Sequence, residues 1–267
     1  MLRSRRMAPA SRAVGLAWVA VAAIAGSAGR AAFAEGYPSC PAVWQDLDGV
    51  ATYYDADGSG NCSFPAALDL MVTAVAAPDW QGSAQCGRCL RVWGPDASVV
   101  VRVVDQCPEC PTGHLDLSAE AFDVIADPLD GIVPIAFRSI ECPVTGNLSV
   151  AEKDGVNPWW FAVQIRNHRH AIATLELREN GSSTWQAMAR QDYNYFLVTS
   201  GPGLATPLDF RITDVQGFQV VENDLVTTIV PSAVLTGTTQ FPACDDLFLD
   251  GFETGTASPL WSSRSPW

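Results

Sequence analysis

The chain has 267 residues, with 29 acidic against 16 basic side chains and a formal net charge of −13. This charge would repel polyanions such as DNA, RNA or pectate, so nucleic acid is not expected as a partner and a neutral ligand is favoured. The length is too great for one small hydrophobic core and suits two domains of about a hundred residues each.

Residues 1–34 have the pattern of a secretory signal peptide. Four arginines between positions 3 and 12 precede an apolar stretch at 14–25, and Ala32-Phe33-Ala34 is a small-x-small cleavage site. The apolar stretch is too short to span a bilayer and no later segment is long enough, so we expect a secreted, extracellular protein without a membrane partner. Cleavage removes five arginines and no acids, which lowers the basic residues from 16 to 11 and leaves the mature chain near −18.

Alternating apolar residues predict an all-β protein. The predicted strands lie at 50–54, 69–76, 90–93, 99–104, 135–140, 161–165, 174–178, 185–189, 209–214 and 225–230. One short helix is predicted from Ser118 to about Ile125, because Ser118 is a good N-cap and two acids favour the positive end of the helix. A turn at 142–147 (CPVTGN) separates a first domain at 35–143 from a second at 148–242, and a tail follows at 243–267.

Eight cysteines form an even set within the exported portion, at positions 40, 62, 86, 89, 107, 110, 142 and 244. The Cys-x-x-Cys pairs at 86–89 and 107–110 have zinc-ribbon spacing, but disulfides are the default in an oxidising compartment. The stretch 55–60 (DADGSG) is similar to the first half of a calcium loop, yet Ala66 stands where a bidentate glutamate is needed. We therefore expect disulfides, a glycine-rich turn and no metal.

Two aspartates stand at the ends of strands that we expect to be buried. Asp116 lies between Leu115 and Leu117, and strand alternation turns the leucines to the core and Asp116 to the open face. Asp105 ends the apolar run 99–104. Paired acids in this position are typical of a polysaccharide groove, but they also occur in purely structural roles, and the residues alone leave both possibilities open.

Nine short motifs follow one another as they do in expansins, and the sequence resembles a bacterial member of that family over about 49–242. They are 49–54 (GVATYY), 86–89 (CGRC), 104–108 (VDQCP), 114–118 (HLDLS), 121–122 (AF), 140–147 (IECPVTGN), 158–168 (PWWFAVQIRNH), 192–196 (DYNYF) and 240–242 (QFP). The resemblance implies a six-stranded double-psi β-barrel followed by an immunoglobulin-like β-sandwich that binds carbohydrate. It also implies a nonlytic protein without a cofactor, which loosens cell walls by disrupting noncovalent contacts between glucans.

The resemblance assigns roles to individual residues. Asp116 matches the aspartate required for loosening, Asp105 the second groove aspartate, and Thr52 the threonine hydrogen-bonded near them. Relatives often have an aromatic residue where this chain has Cys107, so one sugar-stacking ring is missing or replaced. In the second domain, the expected cellulose-binding surface consists of Trp159, Trp160, Tyr193 and Lys153. The expected partners are cellulose and associated wall polysaccharides, and the protein is expected to act as a monomer.

The resemblance also implies the cysteine pairing. Cysteines at the positions of Cys62 and Cys86 pair in relatives, as do those at Cys89 and Cys142. Cys107 and Cys110 then remain as a tight local loop. Cys40 and Cys244 are the first and last cysteines of the chain. We expect them to pair only because the other six cysteines are already assigned.

The sequence leaves two other classes of protein open. It also leaves open whether the preferred polysaccharide is cellulose, xylan or peptidoglycan. One is an endoglucanase or lytic transglycosylase on the same barrel, and the other is a carbohydrate-binding protein without loosening activity. Asp55 is the residue that bears on the first class, because related family 45 endoglucanases place their general base in a similar register. Since Asp55 opens the turn at 55–60, where aspartate commonly bonds its own backbone, we expect it to have a structural role.

Overall fold

The computed structural model describes residues 46–67 and 69–244. The predicted signal peptide, Cys40 and residues 245–267 of the predicted tail lie outside the described residues. Within the described ranges, no helix has the length and apolar character needed to cross a membrane.

The first six strands close into a barrel in the order β1-β5-β2-β4-β3-β6. They are β1 (Leu47–Tyr54), β2 (Val72–Ala76), β3 (Cys89–Trp93), β4 (Ser98–Cys107), β5 (His114–Ser118) and β6 (Val133–Ile140). The pairs β1–β5 and β2–β4 are parallel, and the other neighbours are antiparallel. This topology confirms the double-psi β-barrel expected from the resemblance.

One helix, α1 (Ala119–Ile125), follows β5 directly. Ser118 is its N-cap, and the Ser118 hydroxyl accepts a hydrogen bond of 3.2 Å from the Ala121 amide, as the sequence predicts. The buried face of the helix consists of Ala121, Phe122 and Ile125, which belong to the barrel core cluster. The helix therefore packs its buried face against the barrel core, directly after the strand that carries Asp116.

The second half of the chain forms two sheets that enclose one apolar core. A five-stranded sheet has the order β11-β12-β8-β7-β15, and a four-stranded sheet has the order β10-β9-β13-β14. The strands are β7 (Ser149–Glu152), β8 (Trp160–Arg166), β9 (Ile172–Glu179), β10 (Gln186–Ala187), β11 (Ala189–Arg190), β12 (Phe196–Thr199), β13 (Leu208–Asp214), β14 (Gln219–Val226) and β15 (Val234–Thr236). Side chains from both sheets, among them Phe161, Leu177 and Phe210, are fully buried between them. The all-β architecture with a β-sandwich is the predicted one.

The predicted strands differ from the observed ones at several places. The predicted strand 185–189 is two short strands, β10 and β11, that belong to different sheets. The predicted strand 225–230 ends at Val226 and begins earlier, at Gln219. Strands β7, β12 and β15 were not predicted, because segments of three or four residues are too short to show a period.

Barrel and sandwich are joined by buried polar contacts around Cys62. The Cys62 carbonyl accepts hydrogen bonds from Gln164 Nε2 at 2.8 Å and from Asn194 Nδ2 at 3.1 Å. The Ser83 hydroxyl donates to the Gln191 carbonyl at 2.7 Å. His168 is buried against Gly87, where a Cβ atom would lie 2.5 Å from the imidazole ring. These contacts fix the sandwich against the side of the barrel that carries the loop 57–63.

Candidate functional site: an acidic groove and an aromatic surface

The acidic groove is the surface around Thr52, Asp105 and Asp116. One part of it is a chain of three hydrogen-bonded side chains. Thr52 lies opposite Asp116 in the parallel β1–β5 pair, and its hydroxyl donates to Asp116 Oδ1 at 2.6 Å. His114 Nε2 lies 2.8 Å from the same hydroxyl oxygen. Because a threonine hydroxyl has one proton, already given to Asp116, His114 Nε2 must be the donor in the second bond. Sequence reasoning missed His114, although it stands two residues before Asp116 and therefore shares its face of the strand.

Asp105 lies on the other side of strand β2 from Asp116. Ala74 pairs with Asp116 on one side and with Asp105 on the other. With neighbouring strands about 4.8 Å apart, the two aspartate Cα atoms are about 10 Å apart, with Ala74 as the floor between them. Asp105 Oδ1 accepts hydrogen bonds from the backbone amides of Asn61 at 2.7 Å and Gln106 at 2.8 Å. The structure thus brings Thr52, Asp105 and Asp116 to one surface.

Gly60 allows the loop after β1 to reach Asp105. A Cβ atom on Gly60 would lie 2.5 Å from Asp105 Cγ, so only glycine allows this approach. The approach places the Asn61 amide on the Asp105 carboxylate. The loop is also tied down by the Cys62 amide, which donates to the Val104 carbonyl at 3.0 Å, and by the Cys62–Cys86 disulfide. The carboxylate of Asp105 is therefore held in a fixed position.

Tyr54 is a groove residue that sequence reasoning did not single out. Its ring packs against the cluster of Ala74, Ala76, Cys107 and Cys110. Its hydroxyl is buried and has no hydrogen-bond partner among the described residues. Burial, followed by the negative charges of Asp105, Asp116 and Asp57, raises the pKa of Tyr54, so the phenol keeps its proton. Tyr54 stands two residues after Thr52 on the same strand, and this spacing is the signal that could have identified it.

Tyr54 lies close to position 107, where this chain lacks the aromatic residue that relatives often have. Where relatives often have an aromatic ring, this chain has Cys107 in a disulfide with Cys110. The ring of Tyr54 lies against that disulfide, so an aromatic side chain is supplied from β1 instead of β4. The groove therefore keeps an aromatic ring beside its two carboxylates.

Asp55 is exposed directly after the end of β1, and its carboxylate makes no hydrogen bond with any described residue. The turn bonds that we expected of Asp55 are made by Asp57 instead. Asp57 Oδ1 accepts from both the amide and the hydroxyl of Ser59, at 2.9 and 2.5 Å. These bonds hold the carboxylate ionised and lower the pKa of Asp57. The glycine-rich stretch 55–60 is thus a turn stabilised by its second aspartate.

The sandwich presents Trp159 on a loop just before β8. Trp159 is 58% exposed, the largest exposed fraction of any tryptophan in the described part of the chain. Asn157 Oδ1 accepts hydrogen bonds from the Trp159 and Trp160 amides at 3.0 and 3.1 Å, which fixes the loop. A Cβ atom on Gly203 would lie 3.3 Å from Trp159 Nε1, so the indole lies against the Gly203 backbone with its remaining surface open.

Trp160 differs from the prediction that both tryptophans are exposed. It is the first residue of β8, is only partly exposed, and packs against the sandwich core. The physical reason is strand alternation, because two adjacent residues entering a strand point to opposite sides. Trp159 therefore lies at the surface, whereas Trp160 is partly buried against the sandwich core and partly exposed.

Tyr193 and Lys153 lie together on the same sandwich. Tyr193 is 37% exposed, and its ring centroid lies 5.9 Å from that of Tyr195. Lys153 Nζ lies 5.6 Å from the Tyr193 ring and 5.2 Å from the Tyr195 ring, at cation–π distance from both. The ammonium group is therefore part of an aromatic surface and is not an isolated solvated charge.

A cleft of about 490 Å³ lies between the barrel and the sandwich. On the barrel side it is lined by Asn61 and Gln106, which flank Asp105, and by Trp80. On the sandwich side it is lined by Asp192 and Tyr193. The cleft thus runs from the residues that flank Asp105 to Tyr193, across the contact between barrel and sandwich.

Three disulfides join described cysteines: Cys62–Cys86, Cys89–Cys142 and Cys107–Cys110. These are the pairs that the resemblance implies, and they engage all four sulfurs of the zinc-ribbon pattern. Cys40 lies outside the described residues, so its pairing with Cys244 stays a prediction. One described cluster, Glu141, His170 and Cys244, has donor types suited to a metal. Cys244 is disulfide-bonded, however, so its sulfur is not available as a thiolate ligand.

Fold and site together define a class of two-domain β-proteins. In this class a double-psi β-barrel with two groove aspartates is joined to a β-sandwich that exposes aromatic side chains. A family model described as "Lytic transglycolase", built on the double-psi β-barrel, matches residues 48–137.

Comparison with known proteins narrows the class to one family. The chain is 36% identical to Expansin-YoaJ of Bacillus subtilis, over 67% of this chain and 79% of that protein. It is 30% identical to Expansin-like protein 1 of Dictyostelium discoideum, over 67% of each. The crystal structure of apo Clavibacter michiganensis expansin matches with a TM-score of 0.67 and 34% identity, over 73% of this chain and 98% of that one. The chain belongs to the expansin family, which confirms the resemblance found in the sequence.

A second structure of the Clavibacter michiganensis protein bears on the ligand. It is a mutant of that expansin in complex with cellohexaose, and it matches this chain with the same TM-score of 0.67 and 34% identity. A glucan oligomer is therefore the ligand of a relative that shares both halves of this fold.

Proposed function

We propose that this protein binds cellulose and loosens cellulose-containing walls without hydrolysis and without a cofactor. The observation that carries the proposal is a groove with the carboxylates of Asp105 and Asp116, from which a cleft leads to Tyr193 on the sandwich. The sandwich also exposes the ring of Trp159. Its expansin relatives and the cellohexaose complex of one of them support a glucan as the ligand. We also propose that the protein is exported, acts as a monomer, and needs neither nucleic acid nor membrane as a partner.

The aromatic surface provides the binding. Pyranose rings have C–H faces that pack on aromatic rings by dispersion and desolvation, and stacking on a base-sized ring is worth about 1–3 kcal/mol. Trp159 and Tyr193 offer such rings, Trp160 adds the exposed part of its ring, and Lys153 can donate to glucan hydroxyls. A surface of several rings suits an extended chain better than a soluble monosaccharide.

The groove provides the loosening. Neighbouring glucan chains adhere through hydroxyl hydrogen bonds, and Asp105 and Asp116 are acceptors that can take over such bonds. The ring of Tyr54 packs beside them, and its buried phenol keeps its proton. Thr52 orients the Asp116 carboxylate, so the acceptor is placed before the glucan arrives. Exchange of hydrogen bonds between chains requires no covalent step.

Hydrolysis is the second candidate, because two carboxylates do flank Ala74 and the barrel matches a family model named for a lytic activity. An inverting glycosidase needs an acid and a base about 6.5–9.5 Å apart, with the base free to activate water. One oxygen of Asp105 already accepts two backbone amides. Asp55 is exposed at the end of β1, and its carboxylate makes no hydrogen bond to Thr52, Asp105 or Asp116 among the described residues, so we propose that it is not a general base.

A wall-extension assay run beside a reducing-sugar assay tests the proposal. The wild-type protein should extend cellulose-containing walls, or weaken paper, without releasing soluble sugar. Asp116→Asn should abolish extension and retain most cellulose binding, because the aromatic surface is intact. Asp123→Asn, an exposed aspartate on α1, is the matched control and should behave as wild type.

Two outcomes would contradict the proposal. Sugar release that disappears with Asp116→Asn would identify a glycosidase or lytic transglycosylase. Cellulose binding without extension, in both wild type and control, would identify a simple binding protein. The same assays with xylan and peptidoglycan in place of cellulose would determine the preferred polymer.

A further inference from the structure

His114 is a side chain of the acidic groove that bonds to Thr52. It is half-buried at the first position of β5, two residues before Asp116 and on the same face of the strand. In the β1–β5 pair, Thr52 stands opposite Asp116, and Val50 stands opposite His114. The imidazole therefore reaches across the pair, and its Nε2 lies 2.8 Å from Thr52 Oγ1.

The backbone that carries His114 is fixed by a close approach of two glycines. A Cβ atom on Gly49 would overlap the Gly113 carbonyl oxygen, so the turn before β5 can lie against β1 only because residue 49 is glycine. The Val50 amide donates to the Gly113 carbonyl at 3.3 Å, and the Gly113 amide donates to Asp79 Oδ2 at 2.8 Å. His114 thus follows directly after a rigid part of the barrel, and its position is set before a ligand arrives.

The number of protons on the three side chains decides the direction of both hydrogen bonds. An ionised carboxylate only accepts, so the single proton of the Thr52 hydroxyl is used in the 2.6 Å bond to Asp116 Oδ1. A neutral imidazole with its proton on Nδ1 would make Nε2 an acceptor, which would compete with Asp116 for the Thr52 proton. A proton on Nε2 instead commits the Thr52 hydroxyl to Asp116.

Asp116 is then held by one of its two carboxylate oxygens. Thr52 occupies Oδ1, and no residue within 46–67 or 69–244 forms a hydrogen bond with Oδ2. A hydrogen bond to an ionised acceptor is stronger than one between neutral groups, so Oδ2 can take a hydroxyl from a neighbouring glucan. The direction in which Oδ2 points depends on the bond between Thr52 and Oδ1.

We propose that His114 is a positioning residue for loosening and acts through Thr52. Its Nε2–H commits the Thr52 hydroxyl to Asp116 Oδ1 and so orients Asp116 Oδ2 for the glucan. This inference rests on the proposed loosening function and adds to it the group that orients the Thr52–Asp116 pair. His114 takes no part in cellulose binding by the aromatic side chains of the sandwich.

The first test is NMR of the imidazole nitrogens in the full-length secreted protein, at a pH where the ring is neutral. The nitrogen shifts of His114 should place its proton on Nε2. Thr52→Val, which keeps the shape and removes the hydroxyl, should change these shifts. Thr112→Val alters an exposed threonine in the loop before β5 and is the matched control that should leave them unchanged.

A neutral ring with its proton on Nδ1 would overturn the proposal. This measurement does not depend on wall extension. A failure of the proposed function, seen as a wild type that does not extend walls, is therefore distinguishable from a failure of this inference.

Wall extension by variants tests the role in loosening. His114→Leu removes the donor and should lower extension about fivefold, the effect of one hydrogen bond, while cellulose pull-down stays as in the wild type. His114→Gln can donate from its amide nitrogen and should restore most of the extension. In a Thr52→Val background, His114→Leu should have no further effect, because the residue through which His114 acts has lost its hydroxyl.

Three results of these assays would overturn the proposal. They are unchanged extension in His114→Leu, a loss that His114→Gln does not restore, and an effect of His114→Leu that persists at full size beside Thr52→Val. If His114→Leu does not fold, the NMR comparison leaves His114 unaltered and still decides the question.

Discussion

The barrel and the sandwich are stabilised in different ways. In the described part of the chain, the three disulfides lie in the barrel or tie it to the segment that follows β6, and none joins two residues of the sandwich sheets. The sandwich instead buries large aromatic and aliphatic side chains, including Phe161, Phe196, Phe210 and Phe241, in one continuous core. A groove that carries several polar groups on its strands has less apolar surface to bury, and cross-links compensate for that. The sandwich has a surplus of apolar side chains and can present some at its surface.

This difference in stabilisation matches the proposed division of function, with loosening in the barrel and cellulose binding in the sandwich. The barrel holds the carboxylates by hydrogen bonds and covalent ties, as an acceptor site requires. The sandwich displays aromatic rings on a firmly packed base, as a stacking surface requires. The comparison can be tested by disturbing one half and measuring the other.

The largest effect is expected from removal of the aromatic surface. Three rings at about 1–3 kcal/mol each predict a loss of at least about 3 kcal/mol, hence at least a hundredfold weaker cellulose binding, when Trp159, Trp160 and Tyr193 become alanine. A cellulose pull-down measures the loss. Trp185→Ala is the matched control, since Trp185 lies between Arg178 and Arg211 on the other sheet and should not affect binding. Retained pull-down in the triple variant would place the binding surface elsewhere.

The single variants distinguish the two tryptophans. Trp159→Ala should weaken binding and leave the melting temperature unchanged, because Trp159 is mostly exposed. Trp160→Ala should lower the melting temperature as well, because Trp160 packs against the core. Equal behaviour of the two would contradict the difference in burial.

The next effect is the loss of a barrel disulfide. Cys89–Cys142 spans 53 residues, and loop-closure entropy predicts about 4 kcal/mol of stabilisation. Replacing both cysteines by alanine should therefore lower barrel stability by about that amount. Replacing Cys107 and Cys110, which lie three residues apart, is the matched control and should cost only about 1.5 kcal/mol.

Hydrogen exchange read by mass spectrometry locates the effect. Amides of β1–β6 should lose protection in the Cys89/Cys142 variant, while amides of β8, β9 and β13 keep theirs. Equal loss in both regions would mean that barrel and sandwich unfold as one unit, and the contrast between them would fail.

Much of the barrel was predictable because its signals are local. The alternation of Leu115, Asp116 and Leu117 is borne out, with both leucines buried and Asp116 partly open. The short helix and its Ser118 cap follow from residues within one turn. The family motifs then supplied the topology, which no local pattern contains.

The rest depended on contacts between distant segments. Tyr54 packs against Ala74 and the Cys107–Cys110 disulfide, and neither contact can be recognised from the sequence of β1 alone. The segment 186–190 alternates like one strand, yet it crosses from one sheet to the other at the buried Met188.

A pH-dependent effect is expected at the contact between the two halves. His168 lies against Gly87, and burial together with the charge of Arg102 lowers its pKa to about 3. The unfolded chain takes up a proton near pH 6.5, but the folded protein does not until about pH 3, so the unfolded state binds more protons in this window. Stability is therefore complete above about pH 6.5 and is lost progressively as the pH falls toward 3.

The measurement is the melting temperature of the wild type and of His168→Gln between about pH 3 and 7, the span of the two pKa values. The difference between the two proteins isolates His168 from the many carboxylates that also titrate. The wild type should lose more stability on acidification than the variant. Parallel curves would show that His168 is not the group that carries this dependence.

The smallest effect is expected for Lys153, the one lysine in the sequence. Its ammonium group lies over Tyr193 and Tyr195, and an exposed cation–π contact is worth about 0.5–1 kcal/mol. Lys153→Met, which keeps the aliphatic stem, should therefore weaken cellulose binding less than about fivefold, and Lys153→Arg should restore it. Because stacking on a neutral polymer dominates, binding should also change less than about twofold as the salt concentration rises from 0.05 to 0.5 M. A steep decline with salt, abolished in Lys153→Met, would mean that the surface recognises an acidic polymer through this one charge, and the division between an aromatic binding surface and an acidic groove would have to be redrawn.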